Sequence, residues 1–224
     1  MSAGIAHEIN NPLAIIAGSI GQLQKLKESP EKFAAKIAAL QKSTERIAKI
    51  VSGLRKYARA SGECERKPAV LAGIVRDSII LVDAKAKRGF CAIEIDLATN
   101  AQIDCDEVEI EQVVVNLVNN AIDAVQDQPE RWVRVSVFEE PGAVVLQVRD
   151  AGPKIAPEIE EKLFQPFFTT KRVGDGTGLG LSITKGILDE HQASIGLRPG
   201  DDRTCFEIRF RPALGAPATS GLAA

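Results

Sequence analysis

The sequence predicts a helical hairpin that pairs with a second copy as a dimeric four-helix bundle, followed by an α/β two-layer sandwich. Three observations carry this. Apolar residues recur at alternating spacings of four and three along two stretches of residues 3–60; Glu28-Ser29-Pro30-Glu31 interrupts them; and near Arg66 the pattern changes to mixed helices and strands. The predicted organisation is a hairpin domain over 1–62, a second domain over 66–212 and a disordered tail over 213–224, where ALGAPATSGLAA is small and turn-rich.

In the first helix Ile9, Leu13, Ile16, Ile20 and Leu23 form a seam buried against another helix. His7 lies two residues before Ile9 and, at about 100° per residue, is rotated roughly 200° from that seam, so it faces outward. Ser29 is placed as an N-cap and Pro30 at the first position of the next helix. That helix carries Phe33, Ile37, Leu40, Thr44, Ile47, Val51, Leu54 and Ala58 as an unbroken heptad series. Two such stripes cannot both be buried within one hairpin, and pairing two hairpins as a homodimer solves this. Packing of the hairpin onto its own second domain is the alternative.

Leu71–Ala86 reads as a helix ending near Gly89, and Cys91–Leu97 alternates as a strand. Ile103-Asp104 is a short strand and Glu107–Val125 a helix. Val133–Phe138 and Val144–Arg149 form a hairpin about Pro141-Gly142. A helix over Ser182–Glu190 and strands at Ile195–Arg198 and Cys205–Phe210 complete a largely antiparallel set. Trp132, at a strand entrance, reads as core or edge packing.

Composition narrows the function. A net charge of −2 leaves no electrostatic footprint for nucleic acid or an anionic membrane. No apolar run is long enough to span a bilayer, and no signal peptide precedes the first helix. Cys64, Cys91, Cys105 and Cys205 are scattered without a CxxC pair, so reduced thiols and a cytoplasmic location are expected.

Five constellations carry chemistry. His7 and Glu8, followed by Asn-Asn-Pro, make His7 a candidate phosphoryl acceptor: its ring is mostly neutral at pH 7, and a carboxylate on the other ring nitrogen fixes the tautomer. Asn116 and Asn120 share one face of a helix, where asparagine is disfavoured without a purpose, and an amide oxygen suits magnesium. Asp150 ends an apolar strand and can accept a hydrogen bond from an exocyclic amine such as that of adenine, while Gly152 lets backbone approach a flat ring. In Leu163-Phe-Gln-Pro-Phe-Phe-Thr-Thr-Lys171, phenylalanines anchor a mobile loop and Lys171 reaches a phosphate. Glycines 174, 176, 178 and 180 open a helix whose N-terminus attracts an anion.

Together these segments resemble the sensor histidine kinases of two-component signalling. HEINNPL resembles the phosphoacceptor box, NLVNNAIDA the asparagine box, DAGPKI the first glycine box, LFQPFFTTK the phenylalanine box and GTGLGLSI the second glycine box, in family order over residues 3–211. PFFTTK and a short lid resemble the nitrogen-regulation type. The resemblance implies a dimeric bundle carrying the histidine, joined to a Bergerat-type ATP-binding domain. It implies that His7 is the nucleophile and Glu8 orients or deprotonates it. Asn120 then holds Mg2+ with Asn116 near the phosphates, Asp150 and Gly152 take adenine, and Lys171 with Gly176, Thr177, Gly178, Leu179 and Gly180 surrounds the triphosphate of ATP. The phosphoryl group passes to an aspartate of a separate response-regulator domain. Asn11, four residues from His7, completes an H-E-x-x-N pattern that implies phosphatase activity toward that regulator, and Pro12 can bend the helix there.

Two departures qualify this. Lys154 replaces the second glycine of the D-x-G-x-G pattern, so either the turn needs no special backbone or ATP use is altered. The helix also starts only six residues before His7, so a shortened chain with its input domain missing is expected, a stand-alone kinase being the alternative. A non-enzymatic histidine phosphotransfer protein with a degenerate pocket and another Bergerat-type ATPase, such as a chaperone or topoisomerase fragment, are the competing readings.

Overall fold

Residues 2–23, 29–58, 66–171 and 177–213 are described in the computed structural model, without the side chains of 2–11, 42, 45, 46 and 48–58. The chain divides into two units, Met1–Gly62 with Gln165–Ile183, and Glu63–Phe164 with Thr184–Ala224.

In the first unit, α1 (Ser2–Leu23) packs along α2 (Pro30–Ala58). Pro30 opens α2 as expected, and the Phe33 N–H donates to the Ser29 carbonyl at 3.0 Å. The predicted seam is divided. Pro12 and Ser19 are buried and Ile16 and Leu23 half-buried, whereas Leu13 and Ile20 remain 45% and 57% exposed. The face turned toward α2 is therefore displaced by one position from the heptad series, and much of the apolar stripe lies outside the hairpin. Ile9 and the outward placement of His7 lie outside the described side chains. The helix continues through Pro12, which has no N–H to offer the Glu8 carbonyl one turn earlier.

The second unit is built on a five-stranded sheet in the order β2-β4-β5-β7-β6. Its strands are β2 (Ala92–Leu97), β4 (Trp132–Glu140), β5 (Ala143–Pro153), β6 (Ser194–Leu197) and β7 (Arg203–Phe210). A strand that periodicity did not reveal, β1 (Lys67–Val70), pairs antiparallel with β3 (Gln102–Cys105) as a separate ribbon. With four residues and a proline, β1 is too short to show a period. The sheet is antiparallel except that β2 runs parallel to β4, because α3 (Leu71–Arg88) precedes β2 and α4 (Glu107–Ala124) separates it from β4.

Alternation along β4 sends Val133, Val135 and Val137 into the core. Ile110, Val113, Val114, Leu117 and Val118 of α4, which packs on β4 and β5, and Leu71, Val75 and Val82 of α3, which packs on α4, are likewise essentially inaccessible. Asp106 caps α4, its carboxylate accepting from the Val108 and Glu109 N–H groups at 2.8 and 3.2 Å. The buried His191 accepts the Asp106 N–H at Nε2 and donates from Nδ1 to the Ile187 carbonyl at 2.8 Å, tying α6 (Gly180–Glu190), the helix after the one-turn α5 (Pro157–Glu160), to the start of α4.

The opposite sheet face is a charged ladder. Arg134 pairs with Glu94, Arg149 with Asp201 and Asp202, and both guanidiniums lie over the Trp132 ring, 5.8 and 5.7 Å from its centroid. Trp132 is thus edge packing, as its position suggested. The open groove lined by Arg149, Arg198, Asp201 and Asp202 belongs to this ladder, where Arg149 is already paired.

Candidate functional site

Asp150 is the most constrained acid of the second unit. It lies near the end of the central strand β5 at 2% exposure, and its Oδ1 accepts the Gly152 N–H at 2.7 Å. Burial pushes this carboxyl up to about 6, against the Gly152 N–H and the positive charge of Arg203. Gly152 has a different reason from the one expected. A Cβ there would stand 2.6 Å from Asp150 Oδ1, so the glycine makes room first for the folded-back carboxylate. The next atoms it would meet are the Ala124 Cβ and carbonyl at 3.6 and 3.7 Å, which places the turn beside the C-terminal end of α4.

Asn120 lies on α4 one turn before Ala124 and is half-buried. Asn116, one turn earlier, is held on both sides of its amide: Gln112 Nε2 donates to Oδ1 at 2.9 Å, and Nδ2 donates to Thr184 Oγ1 at 3.4 Å. Asn116 therefore braces α4 against the fully buried Thr184 of α6. Lys85 bonds the Asn119 carbonyl at 3.1 Å and Asp123 at 2.5 Å, fixing the same stretch of α4 to α3.

Sequence reasoning passed over Thr184, Arg203 and Thr204. Arg203 donates to the Ala151 carbonyl, and Thr204 Oγ1 donates to the Pro153 carbonyl at 2.8 Å. The only sequence signal was two polar residues at the head of a closing strand that then alternates apolar residues with Glu207 and Arg209.

In the first unit the phenylalanine and glycine segments meet through backbone. Phe167, at φ +68°, donates its N–H to the Gly178 carbonyl at 2.9 Å, and a Cβ on Gly178, itself at φ +65°, would stand 2.3 Å from the Phe167 carbonyl carbon. Gly178 is thus required by a close approach as well as by its conformation. Lys171 is half-buried, with its N–H on Thr169 Oγ1 at 3.2 Å. The buried Leu179 directs its N–H at Thr177 Oγ1 at 3.4 Å, and α6 begins at Gly180, two residues before the expected start. Gly174 and Gly176 lie outside the described residues, as do the side chains of His7, Glu8 and Asn11.

Lys154 is exposed, and it is absent from the residues at positive φ, which among those without a glycine are Phe90, Phe167 and Gln192. The turn after Pro153 therefore needs no glycine at this position.

The chain matches two family models, the His Kinase A (phospho-acceptor) domain over residues 1–63 and the histidine kinase-, DNA gyrase B- and HSP90-like ATPase over 105–214. The catalytic domain of histidine kinase ThkA is 31% identical, with 66% of this chain and 95% of that one aligned at a TM-score of 0.59. The chain belongs to the sensor histidine kinases of two-component systems. Its phosphoacceptor hairpin and Bergerat-type α/β sandwich are the two domains of that family. The C4-dicarboxylate transport sensor protein DctB of Rhizobium meliloti is 32% identical over 216 residues, 95% of this chain and 34% of the relative. ThkA in complex with the response regulator protein TrrA aligns over 95% of this chain and 61% of that one, at 28% identity and a TM-score of 0.77. The chain spans about a third of the length of the curated relatives it matches. Among the described residues no helix is long and apolar enough to cross a membrane.

Proposed function

We propose that this chain is the catalytic part of an ATP-dependent protein-histidine kinase that phosphorylates His7 and passes the phosphoryl group to an aspartate of a response-regulator receiver domain. The observation that carries the reading is Asp150, a carboxylate buried at the end of β5, folded over Gly152 and set beside the end of the helix that carries Asn120. Such a group is a specific acceptor for an exocyclic amine: the Gly152 N–H uses Oδ1 and leaves Oδ2 for the ligand.

The remaining roles follow the motifs. Lys171 and the backbone of Gly176, Thr177, Gly178, Leu179 and Gly180 surround the phosphates. Asn120 would offer one neutral amide oxygen to Mg2+, which would supply positive charge against the leaving diphosphate. Glu8 accepts one ring N–H of His7 and leaves the other nitrogen unprotonated. That nitrogen attacks the γ-phosphorus, the bond to the β–γ bridging oxygen breaks, and ADP departs. Asn11 positions a water against the phosphorylated regulator in a second, phosphatase activity.

Leu13, Ile20 and Phe33, exposed along the hairpin, support pairing with a second copy. The buried thiols of Cys91, Cys105 and Cys205, none of them in a disulfide, accord with a reducing cytoplasm. The ThkA–TrrA complex supports a receiver-domain partner. The decisive test incubates the chain with Mg-ATP and locates acid-labile, alkali-stable phosphate by mass spectrometry. Phosphate on His7, lost in His7→Gln, is expected; a chain that binds nucleotide and dimerises without forming phosphohistidine would sink the proposal.

A further inference from the structure

The turn that carries Asp150 is made by a break in strand register. Along β5 and β7 the pairing runs in step as far as Arg149 opposite Cys205 and resumes with Pro153 opposite Arg203. Between those pairs β5 supplies Asp150, Ala151 and Gly152, whereas β7 supplies Thr204 alone. The extra β5 residues bulge and lose regular ladder partners on the β7 side.

Side chains replace part of that ladder. The Arg203 guanidinium donates from Nη1 to the Ala151 carbonyl, Thr204 holds the Pro153 carbonyl, and Asp150 takes the Gly152 N–H. Arg203 is itself tethered, with its N–H on Asp201 Oδ1 at 3.1 Å and Nη2 on Glu130 Oε2 at 3.4 Å. Its side chain is about one-third exposed, so the guanidinium bridges solvent and the buried turn.

We propose that Arg203 is a positioning residue of the nucleotide site: by holding the Ala151 carbonyl it fixes the bulge that presents the Asp150 carboxylate to the ligand. The inference rests on Asp150 as the group that reads the adenine amine. Arg203 also acts through charge. Burial favours the protonated acid at Asp150, and the guanidinium counters it, keeping the stronger, ionised acceptor in place. The other ionisable neighbour is Cys91, before β2, whose thiol is pushed up by burial and then by the Asp150 charge, with Arg131 acting the other way. Glu130, on the far side of Arg203, completes the set.

The test measures ADP binding to the full chain by calorimetry between pH 5.5 and 8 for the wild type, Arg203→Met, Arg203→Gln and Asp150→Asn. Folding is checked by thermal melts followed through Trp132. Titration of the nucleotide phosphates is common to all four proteins and cancels in affinity ratios. Arg203→Met, which loses bond and charge, is expected to weaken binding about three- to ten-fold at pH 7.5, less than the full worth of a charge-assisted hydrogen bond because Arg203 acts through the turn and not on the ligand. Its affinity should also fall away at higher pH than that of the wild type. Arg203→Gln keeps a donor without the charge, so it should retain most of the affinity at pH 7.5 yet share the displaced acid limb; a merely structural role would not separate the two readouts.

If Asp150→Asn loses binding while both Arg203 variants match the wild type at every pH, the inference is overturned and the nucleotide reading stands. If Asp150→Asn binds ADP like the wild type, both are overturned. Should Arg203→Met fail to fold, an unmoved acid limb in Arg203→Gln is enough to reject the inference.

Discussion

Asp150→Asn is expected to stabilise the nucleotide-free protein at neutral pH while it removes nucleotide binding. Burial raises the carboxyl from 3.8 to about 6, so at pH 7.5 the folded state holds an ionised group in a site that favours the neutral acid. At about 1.4 kcal/mol for each tenfold change in proton affinity, this withholds about 3 kcal/mol from folding. A carboxyl raised in the folded state carries no penalty below its unfolded value near pH 4; the penalty grows between pH 4 and 6 and is complete above about pH 7. Asparagine escapes it and can still accept the Gly152 N–H, but it buries an amide N–H that costs about 1–2 kcal/mol. The net expectation is a gain of about 1–2 kcal/mol at pH 7.5 that reverses to a loss of similar size at pH 4. Urea unfolding between pH 4 and 8, followed by the fluorescence of Trp132, measures it, because the chain has one tryptophan and it opens a strand of the same sheet. A stability difference that stays flat across this range refutes the argument.

Asn120→Ala should abolish magnesium-dependent phosphorylation while ADP still binds, whereas Asp150→Asn loses binding itself; parallel calorimetry and phosphohistidine assays separate the two, and intact turnover in Asn120→Ala overturns the metal assignment. Lys154→Gly should keep ATP affinity within a few-fold, since the lysine is exposed with ordinary backbone, and should change the phosphorylation rate more than the affinity. Restoration of ATP binding by this change in a wild type that lacks it would make the phosphotransfer-protein reading the better one. Phe90→Gly should raise stability by about 1 kcal/mol in the urea assay, because Phe90 is 83% exposed at φ +51° and gives up little burial in exchange for relieved strain.

The fold was legible wherever one period persisted. The heptads of α2 and the alternation of β4 extend far enough to identify their elements, and Val144, Val145, Leu146 and Val148 mark β5 as a strand. What short segments do depends on partners that a local pattern does not contain, hence the unexpected β1 ribbon and the parallel β2–β4 pairing. The end of α3 shows the same limit at single-residue scale. Gly89 marked the stop, yet it keeps a helical conformation, and the left-handed position falls on Phe90, whose N–H reaches the Lys87 carbonyl while the Cys91 N–H reaches that of Ala86. This is a Schellman closure with its usual glycine one residue early.

The site was legible as a set of residue types, but the reasons for those types were local and geometric. Gly152 and Gly178 read from sequence as openings for a ligand. In the structure one clears the Asp150 carboxylate and the other the Phe167 backbone, so each first permits a contact within the protein. Asn116 likewise read as a group near phosphate, and it is engaged by Gln112 and Thr184 between two helices. Glycine and asparagine tolerate either use, which is why spacing alone could not choose. Arg203 shows the converse. It belongs to none of the five motif segments, because the need for it arises only from a register break between β5 and β7 that brings residues more than fifty positions apart into contact. A carboxylate placed by one strand and held by the next is jointly specified, and half of that specification is invisible from the motif.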